Sequence, residues 1–288
     1  MTSSSRHLVL ITGATRGLGR LVAEKFWRDG NDLVLIARDT TCLKKVGEEL
    51  LSSMQGNQQV HFFPADLADI NHIPSLIEKI KNTAGNPDIV INNAAIQGPI
   101  GPVQINDWQE WQTCLNVCLL APVLICRGLL PSMIERKYGR IVNISGGGAT
   151  APRANFSSYA TAKCGLVRFS ETLAQEVGPY GITVNCVAPG AMKSHLTEKI
   201  LDAGLEYAGS SEIESAQNVI KENPHAEKRA ADLVHFLTTD SCNRINGKLI
   251  SAIWDPWEKL PDIAQDIRSN DVYTLRRILP KERNLTFE

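Results

Sequence analysis

The sequence has no C-x-x-C pair, no long uncharged apolar run and no excess charge of either sign. Its 288 residues carry 30 Lys and Arg against 31 Asp and Glu, a formal net charge of −1. Near neutrality gives no electrostatic case for nucleic acid or an anionic membrane surface, so we predict neither as a partner. No segment reaches the roughly 18 uncharged apolar residues that a membrane span requires, so no span is expected.

Secretory and metal-binding features are also missing. Residues 1–7 lack the apolar core of a signal peptide, which favours the cytosol. The seven cysteines show no zinc-ligand spacing, so we expect no metal and interpret the cysteines as small buried hydrophobes.

Hydrophobic residues make up 43% of the chain, enough for a large core. Short β-branched runs predict strands at 7–12, 32–37, 59–64, 88–92, 140–145, 182–187 and 248–253. Between them lie amphipathic, helix-length segments at 18–29, 43–54, 73–83, 108–135 and 159–177. Near-continuous apolarity is typical of strands covered on both faces. The alternation predicts a Rossmann-like, doubly wound parallel α/β sheet of about seven strands in three layers.

A glycine-rich turn, TGATRGLG at residues 12–19, follows the first predicted strand. Glycines allow a sharp turn and a close approach to a ligand, and the next helix offers free N–H groups to an anion. A pyrophosphate is the expected occupant, although the spacing is G-x-x-x-G-x-G rather than the commoner G-x-G-x-x-G. The candidate contacts are Gly13, Thr15, Arg16, Gly17, Leu18 and Gly19.

The end of the second strand indicates which cofactor is preferred. An acidic residue there would bind a ribose 2′-hydroxyl and favour NAD, but the position holds Ala37, followed by Arg38. Arg38 and Arg16 could together bind a 2′-phosphate, so we predict NADP(H), with NAD(H) left open. Asp39 is the residue that argues against this preference.

The glycine turn resembles that of the short-chain dehydrogenase/reductase family, T-G-x-x-x-G-x-G, and further motifs follow in the family's order over about residues 6–250. The matches are Asp66 and Leu67 to the adenine-contacting pair, Asn93 and Ala94 in an N-N-A-A segment, Tyr159 and Lys163 to the active-site pair, and Pro189 and Gly190 to the turn beside the nicotinamide. The resemblance implies an NADP(H)-dependent oxidoreductase that transfers a hydride between a carbonyl and a secondary alcohol. Its partner would be a small-molecule carbonyl or alcohol substrate.

The spacing of Tyr159 and Lys163 also predicts that the two side chains lie close together, because residues four apart share a helix face. A free phenol has a pKa near 10, and a neighbouring ammonium favours the phenolate and lowers that pKa. Tyr159 is therefore the predicted acid/base. By the resemblance, Lys163 would also bind the nicotinamide ribose.

Two family positions are altered. The active serine is expected 13 residues before the tyrosine, at Gly146, whereas Ser145 lies one place early and on the opposite strand face. A bulge among the following glycines would bring Ser145 inward, so we predict a catalytic role for Ser145, with Thr150 as a weaker substitute. The family asparagine is expected at Cys118. Asn116 lies two residues earlier, turned by about 200°, and could replace it only in a distorted helix.

The predicted organisation is one catalytic domain over 1–253, with a substrate lid at 193–225, and an aromatic C-terminal extension at 254–288 that packs on the domain or a neighbouring subunit. Trp108 and Trp111 are interpreted as core or interface residues, and His195 as a surface residue without chemistry. The segments 108–135 and 159–177 resemble the family's dimerisation helices and imply a homodimer or homotetramer. Two alternatives remain: a catalytically degenerate cofactor-binding regulatory or scaffold protein, and an NAD-linked epimerase or dehydratase.

Overall fold

Seven parallel strands form one sheet, as predicted. The computed structural model describes residues 6–54, 56–222 and 226–285. The strands are β1 (Leu8–Thr12), β2 (Asp32–Ala37), β3 (Val60–Pro64), β4 (Ile89–Asn92), β5 (Gly139–Ile144), β6 (Ile182–Ala188) and β7 (Leu249–Ser251). Their order in the sheet is β3-β2-β1-β4-β5-β6-β7. The order reverses between β1 and β4, which is the signature of a doubly wound sheet.

Helices cover both faces of the sheet. They are α1 (Gly17–Arg28), α2 (Thr40–Ser52), α3 (Ile73–Ala84), α4 (Trp108–Leu115), α5 (Ala121–Arg136), α6 (Ser157–Val177), α7 (His195–Ala208), α8 (Ser210–Glu222), α9 (Ala226–Phe236) and α10 (Ala264–Ser269). Apolar residues of α1, α2 and α9 form the core on one face, and those of α3, α5 and α6 form the core on the other. The predicted three layers are confirmed.

Parallel pairing brings four loops to one edge of the sheet. Because β1 pairs with both β2 and β4, the loop after β1 lies at the crevice where the strand order reverses. The loops after β4, β5 and β6 end at the same edge. The glycine turn, the N-N-A-A segment, the serine-glycine segment and the Pro189-Gly190 turn are thereby gathered around one cleft.

The long helix expected over 108–135 is distorted. A π-helical segment, Asn116–Leu120, separates α4 from α5. Pro122 supplies a reason, because proline has no N–H to donate to the carbonyl four residues earlier, at Cys118. Trp108–Arg136 is also long and apolar enough to cross a bilayer if a charged residue is allowed within the span. The prediction that the chain has no such segment counted only uncharged runs. The fully buried Ile125 and Leu129 nevertheless place α5 in the core that α3 and α5 share with the sheet.

The predicted lid region consists of α7 and α8, and residues 223–225 lie outside the described part. α7 bends at Gly204, whose φ is 72°. Ile200 and Ile213 pack on Phe156, which precedes α6. The two helices therefore lie over the segment that links β5 to α6.

The C-terminal extension packs on its own domain over most of its described length. Trp257 and Ile267 are buried in the core on the α1 and α9 side. The carbonyl of Tyr273 accepts a hydrogen bond of 2.8 Å from the Leu249 amide of β7. Lys248 Nζ donates to the carbonyls of residues 270 and 272, both at 2.9 Å. Trp254 is 84% exposed, and Phe287 lies outside the described residues.

The tryptophan pair on α4 is not part of this chain's core. Trp108 is 64% exposed and stacks on Trp111, with ring centroids 5.2 Å apart. Core packing is therefore the wrong interpretation for Trp108, because its ring lies on the outer face of α4. An interface role for the pair stays a prediction.

Candidate active site

A cleft of about 1490 Å³ runs along the carboxyl edge of the sheet. Its walls contain every predicted site residue except Gly19. Gly19 lies beneath the turn, where a Cβ would stand 2.5 Å from the Asn93 Nδ2 atom. Glycine is needed there because helix α1 packs directly on the strand ends.

The glycine turn forms an anion-binding cradle at the start of α1. Gly13 and Gly17 have φ of 66° and 53°, in the left-handed region that favours glycine. A Cβ at Gly17 would meet nothing within 4 Å, so the turn opens to the cleft there. Arg16, the N-cap residue, makes no side-chain cap, so the first amides of α1 remain available. These features fit a pyrophosphate.

Asp39, which argued against NADP(H), has another role. Its carboxylate accepts hydrogen bonds from the amides of Thr41 (2.8 Å) and Cys42 (2.9 Å) and so caps α2. The bond from the Cys42 amide lowers the pKa of Asp39. Arg16 and Arg38 line the same end of the cleft, and neither forms an ion pair with any of the described residues. Two guanidiniums are thus available to a ligand phosphate.

Asn93 and Ala94 tie β4 to β1 beneath the cofactor end of the cleft. The Asn93 side chain donates to the Thr12 carbonyl at 2.9 Å, and the Asn93 and Ala94 amides both donate to Thr12 Oγ1 at 2.9 Å. Asp66 accepts a bond of 3.0 Å from the Ala68 amide, which shapes the adjoining wall. These residues hold the crevice at its observed width.

Tyr159 and Lys163 lie together at the other end, as their spacing predicts. Tyr159 is 5% exposed and Lys163 is 1% exposed. Lys163 Nζ donates to the Ile144 carbonyl at 2.7 Å and lies 5.5 Å from the Tyr159 ring centroid. The expected lowering of the phenol pKa is not seen: burial raises the pKa of Tyr159, and Arg153 is the neighbouring cation that opposes the rise.

The serine position departs from the expected geometry. Ser145 Oγ is buried and has no hydrogen-bond partner among the described residues. Gly146 is the position that faces the phenol: a Cβ there would stand 2.9 Å from Tyr159 Cε1 and closer still to the hydroxyl. Ser145 itself lines the cleft, and its catalytic role stays a prediction. Thr150 is exposed on the rim of the cleft.

Cys118 stands where the resemblance predicts the family asparagine, and Asn116 belongs to the distorted, π-helical part of the helix. Asn116 Nδ2 donates to the Ala68 carbonyl at 3.0 Å. Cys118 is fully buried, and its Sγ donates to the Ile96 carbonyl at 3.4 Å. A hydrogen bond with Cys114 lowers the pKa of Cys118, and the nearby Lys163 cation acts in the same direction.

Sequence reasoning missed an ion pair over the reactive end. Arg153 forms a two-point pair with Glu212 of α8, with Nε–Oε1 at 2.8 Å and Nη2–Oε2 at 2.6 Å. Both residues line the cleft. They are 59 residues apart, and no spacing rule connects them. His195 Nδ1 lies 3.4 Å from the Glu198 carboxylate on α7, and His195 also lines the cleft, so its interpretation as a surface residue without chemistry stays a prediction.

Comparison with known proteins agrees with this fold and site. A family model described as short chain dehydrogenase matches residues 7–204. The 3-oxoacyl-(acyl-carrier-protein) reductase FabG of Haemophilus influenzae is 32% identical over 240 residues, covering 83% of this chain and 93% of the relative. The Nodulation protein G of Rhizobium sp. is 34% identical over 193 residues, covering 67% and 76%.

Solved structures give the same result. Levodione reductase superposes with a TM-score of 0.75 and 26% identity, over 85% of this chain and 95% of its own. A metagenomic short-chain oxidoreductase in complex with NADP has a TM-score of 0.68 and 25% identity, over the same shares. Fold and cleft together define a doubly wound α/β protein with a dinucleotide-binding turn. The chain belongs to the short-chain dehydrogenase family, which uses nicotinamide cofactors, and its similarity to FabG and to levodione reductase supports an oxidoreductase.

Proposed function

We propose that this protein is an NADP(H)-dependent oxidoreductase that interconverts a small-molecule carbonyl and a secondary alcohol. The observation that carries the proposal is the shared cleft: the glycine turn with two unpaired guanidiniums occupies one end, and the buried Tyr159 the other. A bound nicotinamide cofactor would supply or accept the hydride. Relatives named as reductases, and a structural relative named as an NADP complex, support the assignment.

In this proposal Tyr159 is the general acid of carbonyl reduction. It gives its proton to the carbonyl oxygen, and its raised pKa keeps that proton in place at neutral pH. Lys163, fixed by the Ile144 carbonyl, would bind the cofactor ribose beside it. Pro189 and Gly190 would flank the nicotinamide, and Asp66 and Leu67 the adenine.

Tyr159→Phe tests the chemical role. The variant keeps the ring but loses the transferable proton, so we expect turnover to fall by about 10²–10⁴-fold while NADPH binding is retained. NADPH oxidation at 340 nm, with acetoacetyl-coenzyme A and levodione as carbonyl probes, measures turnover, and protein fluorescence measures NADPH binding. Unchanged turnover would refute the assigned role.

Arg38→Ala tests the cofactor preference. A lost charge-assisted hydrogen bond costs about 1.5–3 kcal/mol, so NADPH affinity should fall roughly 10- to 100-fold. NADH affinity in the same variant is the internal control and should hardly change, because NADH has no 2′-phosphate. Equal NADPH affinity before and after the substitution would contradict the proposed cofactor preference and favour the alternative hypothesis of an NAD-linked epimerase or dehydratase.

A catalytically degenerate cofactor-binding regulatory or scaffold protein is the second candidate. Gly146 and Cys118, at the expected serine and asparagine positions, favour it. A broad carbonyl screen separates the two, because this candidate binds NADPH but oxidises it with no carbonyl. We also propose a cytosolic location and a homodimer or homotetramer assembled through the segments 108–135 and 159–177. Sedimentation of the purified protein would measure the oligomeric state.

A further inference from the structure

The guanidinium of Arg153 lies over the reactive end of the cleft. Arg153 belongs to the segment between β5 and α6, and its side chain is 15% exposed. Its Cζ lies 3.8 Å from the Phe156 ring centroid and 6.0 Å from the Tyr159 ring centroid. The cation is therefore held by a stacking contact at a fixed place above the phenol.

The hydrogen bonds of this guanidinium leave one nitrogen available. Nε and Nη2 are both occupied by Glu212. Nη1 has no hydrogen-bond partner in the part of the chain that the structure describes. It lies beside Gly147, 3.4 Å from where a Cβ on that glycine would stand. Gly147 and Arg153 both line the cleft, so this free nitrogen lies at the cleft wall formed by the glycine segment.

Carbonyl reduction needs donors at the place where negative charge develops. Hydride addition to the carbonyl carbon builds charge on the oxygen, and fixed donors there stabilise the transition state. Tyr159 supplies one donor, but Gly146, which faces the phenol, has no side chain to supply another. Lys163 Nζ donates one hydrogen bond to the Ile144 carbonyl, and the proposed function assigns its remaining donors to the cofactor ribose. Ser145 lies one residue before the position that faces the phenol, so it is the alternative donor that the test must exclude.

We propose that Arg153 Nη1 donates the second hydrogen bond to the substrate carbonyl oxygen, and that Glu212 of the lid helix α8 positions it. The inference rests on the proposed hydride transfer. In the step, a bound reduced nicotinamide would supply the hydride, its own C–H bond breaking and the cofactor being oxidised as the new C–H bond forms on the carbonyl carbon. The carbonyl π-electrons move to oxygen, and the Tyr159 O–H bond breaks to protonate that oxygen, which leaves Tyr159 as the phenolate. Arg153 remains protonated throughout.

Arg153→Met and Glu212→Gln distinguish two roles for Arg153: a hydrogen-bond donor to the substrate oxygen, or an ion-pair partner that only holds α8 in place. Removing one oxyanion donor costs about 10²–10³-fold in kcat, so Arg153→Met should lose that much with NADPH affinity unchanged. Glu212→Gln keeps the cation and should lose far less. Arg276→Met, which removes an arginine paired with acidic residues in the C-terminal extension, is the matched control and should keep wild-type kcat.

Chemical rescue gives a readout that a structural role would not produce. Free guanidinium, at low non-denaturing concentration, should restore part of the kcat of Arg153→Ala on acetoacetyl-coenzyme A or levodione. It should not restore Tyr159→Phe. The pH at which reduction declines should also rise in Arg153→Met, because Arg153 lowers the phenol pKa.

The outcomes distinguish this inference from the proposed function. If the wild-type protein reduces no carbonyl, both fail. If it does and Tyr159→Phe is inactive, three results would overturn the role of Arg153 alone: equal losses in Arg153→Met and Glu212→Gln, no rescue by guanidinium, or a large kcat loss in Ser145→Ala with none in Arg153→Met.

Discussion

Placing a side chain at residue 146 should damage this enzyme rather than repair it. Gly146 occupies the position where the family resemblance predicts the active serine, so the resemblance alone predicts that Gly146→Ser raises activity. The structure indicates the opposite, because a Cβ there would lie 2.9 Å from Tyr159 Cε1, whereas ordinary contacts begin at 3.4 Å. The phenol must then shift by roughly half an ångström or more.

Such a shift acts on the reacting geometry directly. A displacement of about 1 Å can cost about 10²-fold in rate, so Gly146→Ala and Gly146→Ser should lower kcat/KM by about 10- to 100-fold. NADPH affinity should be preserved, since the glycine turn is untouched. The assay is NADPH oxidation with the same carbonyl probes. Gly178→Ala, whose Cβ would meet the end of the Asn246 side chain at 3.1 Å far from the cleft, is the control. Equal or higher activity in Gly146→Ser would refute the reasoning.

The pH dependence and the C-terminal extension give two further predictions. Burial raises the pKa of Tyr159, so the acid form persists above neutrality; carbonyl reduction should decline only on the alkaline side, whereas alcohol oxidation, which needs the phenolate, should increase with pH. A reduction rate that falls between pH 6 and 8, roughly the range in which an unperturbed histidine titrates, would contradict this. Trp257→Ala should cost about 3–5 kcal/mol of unfolding free energy in urea titrations, because the ring is 7% exposed and packs on Phe236. A loss below 1 kcal/mol, at the level of a surface substitution, would show that the extension is only loosely attached.

The sheet was predictable because its strands are covered on both faces. All seven runs of apolar, β-branched residues became strands within a few residues of the expected bounds. The predicted start of a helix was less accurate where a capping side chain determines the first helical residue. α2 begins at Thr40, three residues earlier than predicted, because the Asp39 carboxylate caps it. That carboxylate was considered only as a cofactor contact.

The site was predictable as a set of motifs but not as a set of contacts. The Y-x-x-x-K spacing correctly placed Tyr159 and Lys163 on one side of α6. Whether the pKa of the Tyr159 phenol is raised or lowered depends on burial, which the spacing does not reveal. The sequence indicated only that Asn116 would need a distorted helix to replace the family asparagine. The helix is distorted there, but the Asn116 side chain donates to the Ala68 carbonyl. Arg153 and Glu212 meet because a lid helix folds back over the β5–α6 segment, an encounter set by tertiary packing.

The hydrogen bond from Leu249 to Tyr273 has a consequence for solubility. A short terminal strand such as β7 exposes backbone donors and acceptors that can recruit a strand from another molecule. Here the chain's own C-terminal segment occupies part of that ladder, and the buried ammonium of Lys248 holds it in place. Deleting the residues after Ile253 would therefore open a template for edge-to-edge aggregation, in addition to removing apolar packing.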